Sequence, residues 1–313
     1  MNPKSLRGRS LLTWINFTPR EIRGFLELTK KAKADSRKFA VHQRFKGKSL
    51  ALVLEKPSLR TRTAFETAFG EEGGHSVCIS MHAPEREGNE PLEDVARSLG
   101  RMFSAIAVLG SRQENVEAFA KYSGLPVYNG LTNLFHPTQV LADYFTLEEE
   151  FGSLTGRKLV YVGDGRNTIA RSLMVICSKM GADLTIAAPR ALWPDPDLKD
   201  MCRTFASESG SVFEVTDNQE EGVRGASAIY AGTSAFPSEA SLEKQDNELL
   251  IPYLVDAGLM TATGNPRCIF LHCLPALKGR AVAFDVFEGK HSRVFEQVEN
   301  QKHAIKAIML ATL

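Results

Sequence analysis

The 313-residue sequence has no long apolar run and almost no net charge. No segment approaches the 18 or so unbroken apolar residues that a membrane span requires. Its 38 Lys and Arg residues nearly balance 37 Asp and Glu residues and are spread along the whole chain, so nothing indicates a nucleic-acid or membrane partner. The first 20 residues lack the cleavage site of a signal peptide, and we therefore expect a cytoplasmic protein.

Cysteine is also scarce, and its spacing excludes two common kinds of scaffold. The chain has five cysteines and no CxxC pair, so neither a disulfide framework nor a zinc site is indicated. We expect mostly buried, reduced thiols and no metal. The five are Cys78, Cys177, Cys202, Cys268 and Cys273.

What the sequence does have is an alternation of apolar, strand-like runs with helical patterns from end to end, which is typical of α/β proteins. Because the strand-like runs are apolar throughout, they predict parallel sheets covered on both faces. The predicted strands are 49–54, 76–80, 105–110, 125–130, 158–165, 183–189, 211–215, 227–232 and 268–275. We expect two doubly wound domains, each with a mostly parallel central sheet, and a cleft between them.

The segment HPTQVLADYFTLEEEFG (136–152) predicts a helix that joins the two sheets, because a proline lies in its first turn and its apolar residues have helical spacing. We place the domain boundary near residue 145. The predicted domains are 1–145 and 146–295. The amphipathic segment 296–313 is expected to form a helix that packs back on the first domain.

The stretch EKPSLRTRTAFE (55–66) follows a predicted strand and enters a predicted helix. Ser58, Arg60 and Thr61 would surround the free N–H groups of a helix N-terminus, an arrangement that binds phosphate. The alternative is that Ser58 only caps the helix and that the arginines are solvated. The spacing alone does not decide between them.

Two further stretches place polar side chains after predicted strands, at the sheet edge where ligands bind in α/β proteins. The first, GLTNLFHPTQVLAD, contains His136 and Gln139; the second, FLHCLPALKGR, contains His272 and Cys273. A histidine before proline is more often a loop residue than a catalytic one. A cysteine at the end of a strand more often belongs to the core.

Together these segments resemble the carbamoyltransferase family, and in particular its ornithine branch. SLRTRTAFE is similar to the family's Ser-x-Arg-Thr-Arg phosphate loop, and FHPTQVLAD to its His-Pro-x-Gln segment. VGDGRNTIARSLM (162–174) is similar to its Asp-x-x-Asn segment, and HCLP to its His-Cys-Leu-Pro turn. The resemblance covers nearly the whole chain.

The resemblance implies that a neutral amine, that of ornithine or a similar molecule, attacks the carbonyl carbon of carbamoyl phosphate, with no metal or organic cofactor. It implies a homotrimer acting in amino-acid metabolism, such as arginine biosynthesis. The implied catalytic residues are Arg60, His136 and Cys273. The phosphate would lie on Ser58, Leu59, Arg60 and Thr61, the carbamoyl group on Thr61, His136 and Gln139, and the amine substrate on Asn167, Cys273 and Leu274.

The chain departs from the family pattern at three positions. Leu109 and Gln301 stand where the family has arginines that contact carbamoyl phosphate, and Gly232 stands where ornithine enzymes have an acid that holds the α-amino group. Two lost charge-assisted contacts would weaken donor binding by orders of magnitude unless other cations compensate. The candidates for compensation are Arg62, Arg112 and Lys302, and Glu239 is a candidate for the acid.

These departures leave three readings open. The chain could carbamoylate ornithine, carbamoylate a different amine such as a diamine or a modified amino acid, or bind an anion without catalysis. Nucleotide binding, suggested by VGDGRN, is disfavoured because its glycines do not form GxGxxG and no Walker lysine follows.

Overall fold

The structure, a computed structural model, describes residues 6–56, 58–81, 90–232 and 240–313. The chain divides into two compact units. Unit 1 consists of Met1–Phe145 with Val298–Leu313, and unit 2 consists of Thr146–Gln297.

The sheet of unit 1 has four parallel strands in the order β2-β1-β3-β4. Its strands are β1 (Ser49–Leu54), β2 (His75–Ser80), β3 (Ala105–Ser111) and β4 (Val127–Thr132). The strands β1 and β3 are the central ones, and their apolar side chains are buried because helices cover the sheet. The four strands that the sequence predicts for this half all exist.

Within the described residues, five α-helices begin in unit 1. They are α1 (Pro19–Arg37), α2 (Leu59–Gly70), α3 (Leu92–Met102), α4 (Gln113–Tyr122) and α5 (Pro137–Phe151). The first begins with a capping box in which the Thr18 hydroxyl accepts from the Glu21 N–H and the Glu21 carboxylate accepts from the Thr18 N–H. A proline in its first position supports this start, as it does in α5.

The sheet of unit 2 has five parallel strands in the order β7-β6-β5-β8-β9. They are β5 (Lys158–Val162), β6 (Asp183–Ala187), β7 (Phe213–Thr216), β8 (Ala228–Ala231) and β9 (Ile269–His272). The remaining helices are α6 (Thr168–Met180), α7 (Pro196–Ser209), α8 (Gln219–Gly222), α9 (Ala240–Leu250), α10 (Ala257–Ala262), α11 (Phe284–Phe287) and α12 (Val294–Thr312). The predicted α/β fold with two parallel sheets is confirmed.

The second part of α12 packs within unit 1 through polar contacts as well as apolar ones. The hydroxyls of Tyr128 and Thr312 are 2.7 Å apart, and the buried Lys33 ammonium donates to Asn300 Oδ1 over 2.8 Å. Because these groups are almost wholly buried, each contact satisfies polar atoms that would otherwise cost stability. The helix therefore belongs to the core of unit 1 from Val298 onward.

Within the described part of the chain, no helix combines the length and the apolar character needed to cross a membrane.

Candidate functional site

In unit 1, the loops that follow β1 and β4 lie at the same edge of the sheet, because the strands are parallel. One strand, β3, separates them, so the two loops begin about 10 Å apart. Glu55, directly after β1, fastens this edge: its Oε1 accepts from the Ser111 hydroxyl at 2.7 Å and from Asn115 Nδ2 at 2.9 Å. The loop that leads to Ser58 is thus held against the end of β3.

Ser58 is the N-cap residue of α2, but its side chain makes no capping hydrogen bond. The N–H groups of the first turn are therefore not satisfied by the cap. Thr61 is buried and Leu59 is 75% exposed. Arg60 is half-buried and has no ion-pair partner among the described residues. The helix start thus offers an N–H cluster and one unengaged guanidinium, an arrangement suited to an anion.

The loop after β4 is ordered by a buried polar network around Thr132. The Thr132 hydroxyl donates to Gln113 Oε1 at 2.8 Å and accepts from the Phe135 N–H at 3.0 Å. Asn133 Oδ1 accepts from the Gln113 N–H at 2.9 Å. Because the network joins the loop to the start of α4, it fixes the position of His136 at the start of α5.

His136 is almost fully buried, and its Nδ1 lies 3.3 Å from the Thr138 hydroxyl. Burial lowers the pKa of His136 to about 3, because the charged imidazolium would be desolvated. The ring is therefore neutral at physiological pH. A neutral imidazole is a hydrogen-bond donor and acceptor here, and not a cation.

Gln139 lies one turn further along α5 in a chain of buried amides. Its Nε2 donates to Asp143 Oδ1 at 2.7 Å, and its Oε1 accepts from Gln301 Nε2 at 2.9 Å. Gln301 itself is 3% exposed. The two bonds fix which end of the Gln139 amide is the oxygen, and they leave that oxygen one further lone pair.

The three cations that could compensate for the missing arginines are each paired with a carboxylate. Arg62 Nε lies 3.0 Å from Glu66, Arg112 Nε lies 3.2 Å from Glu114, and Lys302 Nζ lies 2.8 Å from Glu71. All three carboxylates compete with any phosphate for these groups. None of the three cations can therefore bind an anion without first losing its carboxylate partner.

Leu109, at the position of the first missing arginine, is fully buried. A Cβ added to Gly130 would come within 2.9 Å of Leu109 Cγ, so the leucine packs tightly on the neighbouring strand. Gly110 follows with a φ of +80°, a conformation that favours glycine. The end of β3 therefore contributes packing to this edge and no charge.

In unit 2, the loop after β5 is built around a buried carboxylate. Asp164 is fully buried, and Arg166 donates to its two oxygens from Nε at 3.0 Å and from Nη2 at 2.9 Å. The same Nη2 is 2.6 Å from Asp246 Oδ2 on α9. The hydrogen bond with Asp164 is the largest cause of the raised pKa of Arg166, so the guanidinium is charged throughout the accessible pH range.

Asn167 is the N-cap of α6, and its Oδ1 accepts from the Ile169 N–H at 2.8 Å. Capping therefore fixes the amide with its Nδ2 group turned away from the helix N-terminus. Its own N–H donates to the Asp164 carbonyl at 3.1 Å. This geometry sets a donor group at the edge of the sheet of unit 2, where a carboxylate can be bound.

The loop after β9 is fixed by hydrogen bonds of His272. The His272 N–H donates to Gln297 Oε1 at 3.0 Å, and Nδ1 donates to the Cys273 carbonyl at 2.6 Å. Burial lowers the pKa of His272 to about 4, so the ring is neutral. Cys273 is half-buried, with Sγ 3.8 Å from the Leu274 carbonyl. The peptide bond that follows, Leu274-Pro275, is cis.

Tyr161, in β5, explains why position 232 has no side chain. A Cβ added to Gly232 would lie 1.8 Å from the Tyr161 hydroxyl oxygen, and the Gly232 N–H is held by the Val162 carbonyl at 2.8 Å. The Tyr161 hydroxyl is fully buried without a hydrogen-bond partner among the described residues. Burial, and then the charges of Asp164 and Cys273, raise its pKa. Glu239, the alternative acid, lies outside the described residues.

Sequence reasoning missed several members of this arrangement. The link from Gln139 to Gln301 joins residues 162 positions apart, and that from Arg166 to Asp246 joins residues 80 apart, so neither has a local signal. Glu55 belongs to the EKPSLRTRTAFE stretch. An acidic side chain beside a predicted anion-binding loop was the one sequence feature that indicated its structural role.

All five cysteines are free thiols, of which Cys177, Cys202 and Cys268 are buried. The described residues contain no group of three or more His, Cys, Asp or Glu side chains arranged to hold a metal ion.

Comparison with known families defines the class to which these two units belong. Residues 9–149 match the carbamoyl-P binding domain of aspartate/ornithine carbamoyltransferase, and residues 155–312 match its Asp/Orn binding domain. The chain therefore belongs to the aspartate/ornithine carbamoyltransferase family. The prediction of a carbamoyltransferase, made from the sequence motifs, is confirmed by this membership.

Within the family, the similar proteins belong to the ornithine branch. The chain is 53% identical over 309 residues to the ornithine carbamoyltransferase of Caldanaerobacter subterraneus subsp. tengcongensis and 52% identical to that of Pseudothermotoga lettingae, with 99% of each chain covered. It is similar in structure to the ornithine carbamoyltransferase from Pyrococcus furiosus, with a TM-score of 0.93, 36% identity and coverage of 98% of this chain and 97% of that one. The resemblance inferred from the motifs is thereby confirmed.

Proposed function

We propose that the chain transfers the carbamoyl group of carbamoyl phosphate to the side-chain amine of ornithine or of an ornithine-like amine, giving citrulline or its analogue and phosphate. The observation that carries the proposal is that both halves of the chain match the family and present its motif residues in loops after parallel strands. Arg60 lies in the first turn of α2 just after such a loop, His136 lies in the loop after β4, and Asn167 and Cys273 lie in loops of unit 2.

The donor phosphate would bind at the start of α2. The first-turn N–H groups, among them that of Leu59, and the hydroxyls of Ser58 and Thr61 would donate to its oxygens, while Arg60 supplies the positive charge. Support comes from the unengaged side chain of Arg60 and from the missing cap bond of Ser58.

The carbamoyl group would be oriented by neutral donors and acceptors. His136 and Thr61 would donate toward the carbonyl oxygen, on which negative charge develops as the tetrahedral intermediate forms. The remaining lone pair of Gln139 Oε1 would accept from the carbamoyl NH2 group. Because the pKa of His136 is about 3, it acts in this proposal through hydrogen bonding and not as an acid.

The acceptor would be bound by unit 2. Asn167 would donate to its carboxylate, and the Leu274 carbonyl and Cys273 would lie beside the attacking nitrogen. The nitrogen forms a bond to the carbamoyl carbon, the bond from that carbon to the phosphate oxygen breaks, and the departing phosphate takes up the proton that the amine loses. Catalysis by approach of two bound reactants requires no side chain to form a covalent intermediate.

The family resemblance also supports a homotrimer in the cytoplasm. Trimers would be recognised by a mass near three times 34.5 kDa in light scattering after gel filtration. A mass equal to one chain would contradict this part of the proposal.

A second candidate acceptor is favoured by one observation: a Cβ at position 232 would lie 1.8 Å from the Tyr161 hydroxyl oxygen, so no side chain fits there. With no carboxylate at position 232, an α-ammonium group would be buried without a charged partner, which is costly. An amine without that group, such as a diamine or an N-acylated ornithine, would avoid this cost. This candidate keeps carbamoyl transfer and changes only the acceptor.

The test is a steady-state assay with carbamoyl phosphate and a panel of ornithine, an N-acylated ornithine and a linear diamine. Formation of citrulline supports the proposal, and turnover with only one of the other amines supports the second candidate. Turnover equal to the buffer blank with every amine, in protein that still binds carbamoyl phosphate, would show a non-catalytic anion-binding protein. The control is the Arg60→Ala variant, which should be inactive with each amine.

A further inference from the structure

Unit 2 contains a cavity of about 540 Å³ at the opposite edge of its sheet from Asn167 and Cys273. Among its lining residues, Arg157 directly precedes β5 and Arg267 shortly precedes β9. Because β5 and β9 are parallel, both arginines stand at the amino edge of the sheet. Strands of four or five residues separate the two edges by about 15 Å. The cavity is therefore distinct from the acceptor loops.

The lining of this cavity is strongly basic. It contains Arg157, Arg267, Lys290 and Arg293 but only one carboxylate, that of Glu150. Glu150 is paired with Arg293, with Oε2 3.3 Å from Nη2, and this hydrogen bonding is the largest cause of the raised pKa of Arg293. The other three cations have no ion-pair partner among the described residues. The cavity thus holds three uncompensated positive charges.

The loops that bear these cations are held in place by other bonds. Asn265 Oδ1 accepts from the Arg267 N–H at 3.0 Å, and its Nδ2 donates to the Ala226 carbonyl at 2.9 Å. The guanidinium of Arg157 lies 5.3 Å from the ring centroid of Phe151. The backbone at Arg267 and the guanidinium of Arg157 are thus positioned without a carboxylate, so no ion pair among the described residues has to be broken before an anion binds.

A second cavity, of about 530 Å³, adjoins the first and differs from it in character. The two share Asn265, Pro266 and His291, while Met260 and Val286 are among the apolar residues that line only the second. A molecule that occupies both would therefore meet cations at one end and, at the other, mainly apolar side chains together with the carboxylate of Asp285.

We propose that the basic cavity binds a small anion of two or more charges, a phosphate ester or a polycarboxylate, whose apolar part lies in the adjoining cavity. Guanidinium groups are suited to both anions, because their paired N–H donors match two oxygens. An anion also relieves the repulsion among Arg157, Arg267 and Lys290. This site is separate from the proposed acceptor loops of unit 2, and its occupant is not the acceptor.

The test is calorimetric titration with pyrophosphate and, separately, citrate. It uses Arg60→Ala protein, in which the proposed donor loop no longer competes for anions. We expect one binding event with at least one of the two probes, and the preferred probe tells phosphate from carboxylate recognition. Adding Arg267→Glu and Lys290→Glu should weaken that binding at least tenfold.

The matched control adds Arg190→Glu and Arg203→Glu instead, which changes the net charge equally at two exposed arginines outside the cavity. Binding in the control within twofold of that in Arg60→Ala protein supports a local site. Absence of binding of both probes to Arg60→Ala protein, or equal weakening in the control, would overturn the proposal. If the glutamate variants do not fold, as judged by circular dichroism, the Arg267→Gln and Lys290→Gln pair replaces them with the same expectation.

Discussion

The loops at the carboxyl edges of the two sheets are both fixed by polar contacts, but the contacts of the two units differ in charge. In unit 1 the carboxylates that fix the candidate loops accept from neutral groups: Asp143 accepts from the Gln139 amide, and Glu55 accepts from the Ser111 hydroxyl. In unit 2 the loop is fixed by full charges, with Arg166 between Asp164 and Asp246. The loop after β1 thus leaves the Arg60 guanidinium without an ion-pair partner among the described residues, whereas the loop after β5 pairs its arginine, Arg166, with two carboxylates.

The largest expected effect is that of Arg60→Ala on binding of carbamoyl phosphate. A charge-assisted hydrogen bond contributes about 1.5–3 kcal/mol, so affinity should fall about 10- to 100-fold. Titration calorimetry with carbamoyl phosphate or a phosphonate analogue measures the effect. The matched control is Arg62→Ala, two residues away, whose side chain is paired with Glu66 and should change affinity less than threefold.

Unchanged affinity in Arg60→Ala would remove the main support for the donor loop. An equal loss of affinity in both variants would mean that binding depends on the total charge at the start of α2 and not on a specific contact of Arg60.

Acid should destabilise unit 1 through its buried histidines. Burial lowers the folded-state pKa of His136 and of His303 to about 3, whereas an unfolded histidine titrates near 6.5. The unfolded state therefore binds more protons below pH 6.5, and stability falls as the pH drops from there toward 3. At pH 5 each histidine should account for roughly 2 kcal/mol of the loss.

The two tryptophans allow this loss to be followed unit by unit, since Trp14 lies in unit 1 and Trp193 in unit 2. Urea titrations at pH 7 and pH 5 are followed by fluorescence of Trp193→Phe protein for unit 1 and of Trp14→Phe protein for unit 2. His303→Gln should reduce the pH dependence of unit 1 more than that of unit 2. No change in the pH dependence of unit 1 would mean that His303 is protonated in the folded protein.

Much of the fold was predictable because it depends on local pattern. The apolar runs predicted the nine strands of the described residues, because central strands of a parallel sheet are buried on both faces, although the edge strands β2 and β7 also carry exposed residues. At the candidate site, the loop starts at Ser58 and Asn167 were predictable from short motifs that precede helices. The partners of Gln139 and Arg166 were not, because each comes from a distant segment whose approach depends on how the helices pack.

The three cations proposed to replace the missing arginines, Arg62, Arg112 and Lys302, show that the sequence does not reveal which charged side chains are already paired. Arg112 lies three residues after Leu109 and was a reasonable substitute for the missing arginine, yet its side chain is paired with Glu114. The local sequence does not show whether an arginine binds a ligand or pairs with a neighbouring acid, because an arginine close to an acid is compatible with both arrangements. Gly232 was identified from the motif, but its steric cause, Tyr161, was visible only in the structure.

The ion pairs that fix the loop after β5 can be removed by a substitution at Arg166. Arg166→Met leaves the buried carboxylate of Asp164 without its guanidinium, and we expect the free energy of unfolding to fall by about 1–2 kcal/mol, less than for a fully buried pair because Arg166 is 39% exposed. Urea denaturation of Trp14→Phe protein, followed at Trp193, measures it. The control is Arg190→Met, whose pair with Asp217 is exposed to solvent and should contribute much less to stability. A loss no larger than in this control would show that Asp164 is satisfied by other groups.

The smallest effect should come from making unit 1 more like its family. Gln301→Arg places a cation beside Gln139, to whose Oε1 an arginine can still donate, and it should tighten carbamoyl phosphate binding by up to about tenfold, or 1.4 kcal/mol. The same change should destabilise the ligand-free protein, because Gln301 is 3% exposed and a guanidinium there lacks a charged partner until the phosphate arrives. Gln301→Met is the matched control, since it keeps the size and adds no charge. Affinity is measured by calorimetry and ligand-free stability by urea denaturation, for both variants. Tighter binding in the arginine variant without any loss of ligand-free stability would mean that an acid already faces position 301. No gain in affinity would mean that residue 301 does not reach the bound carbamoyl phosphate.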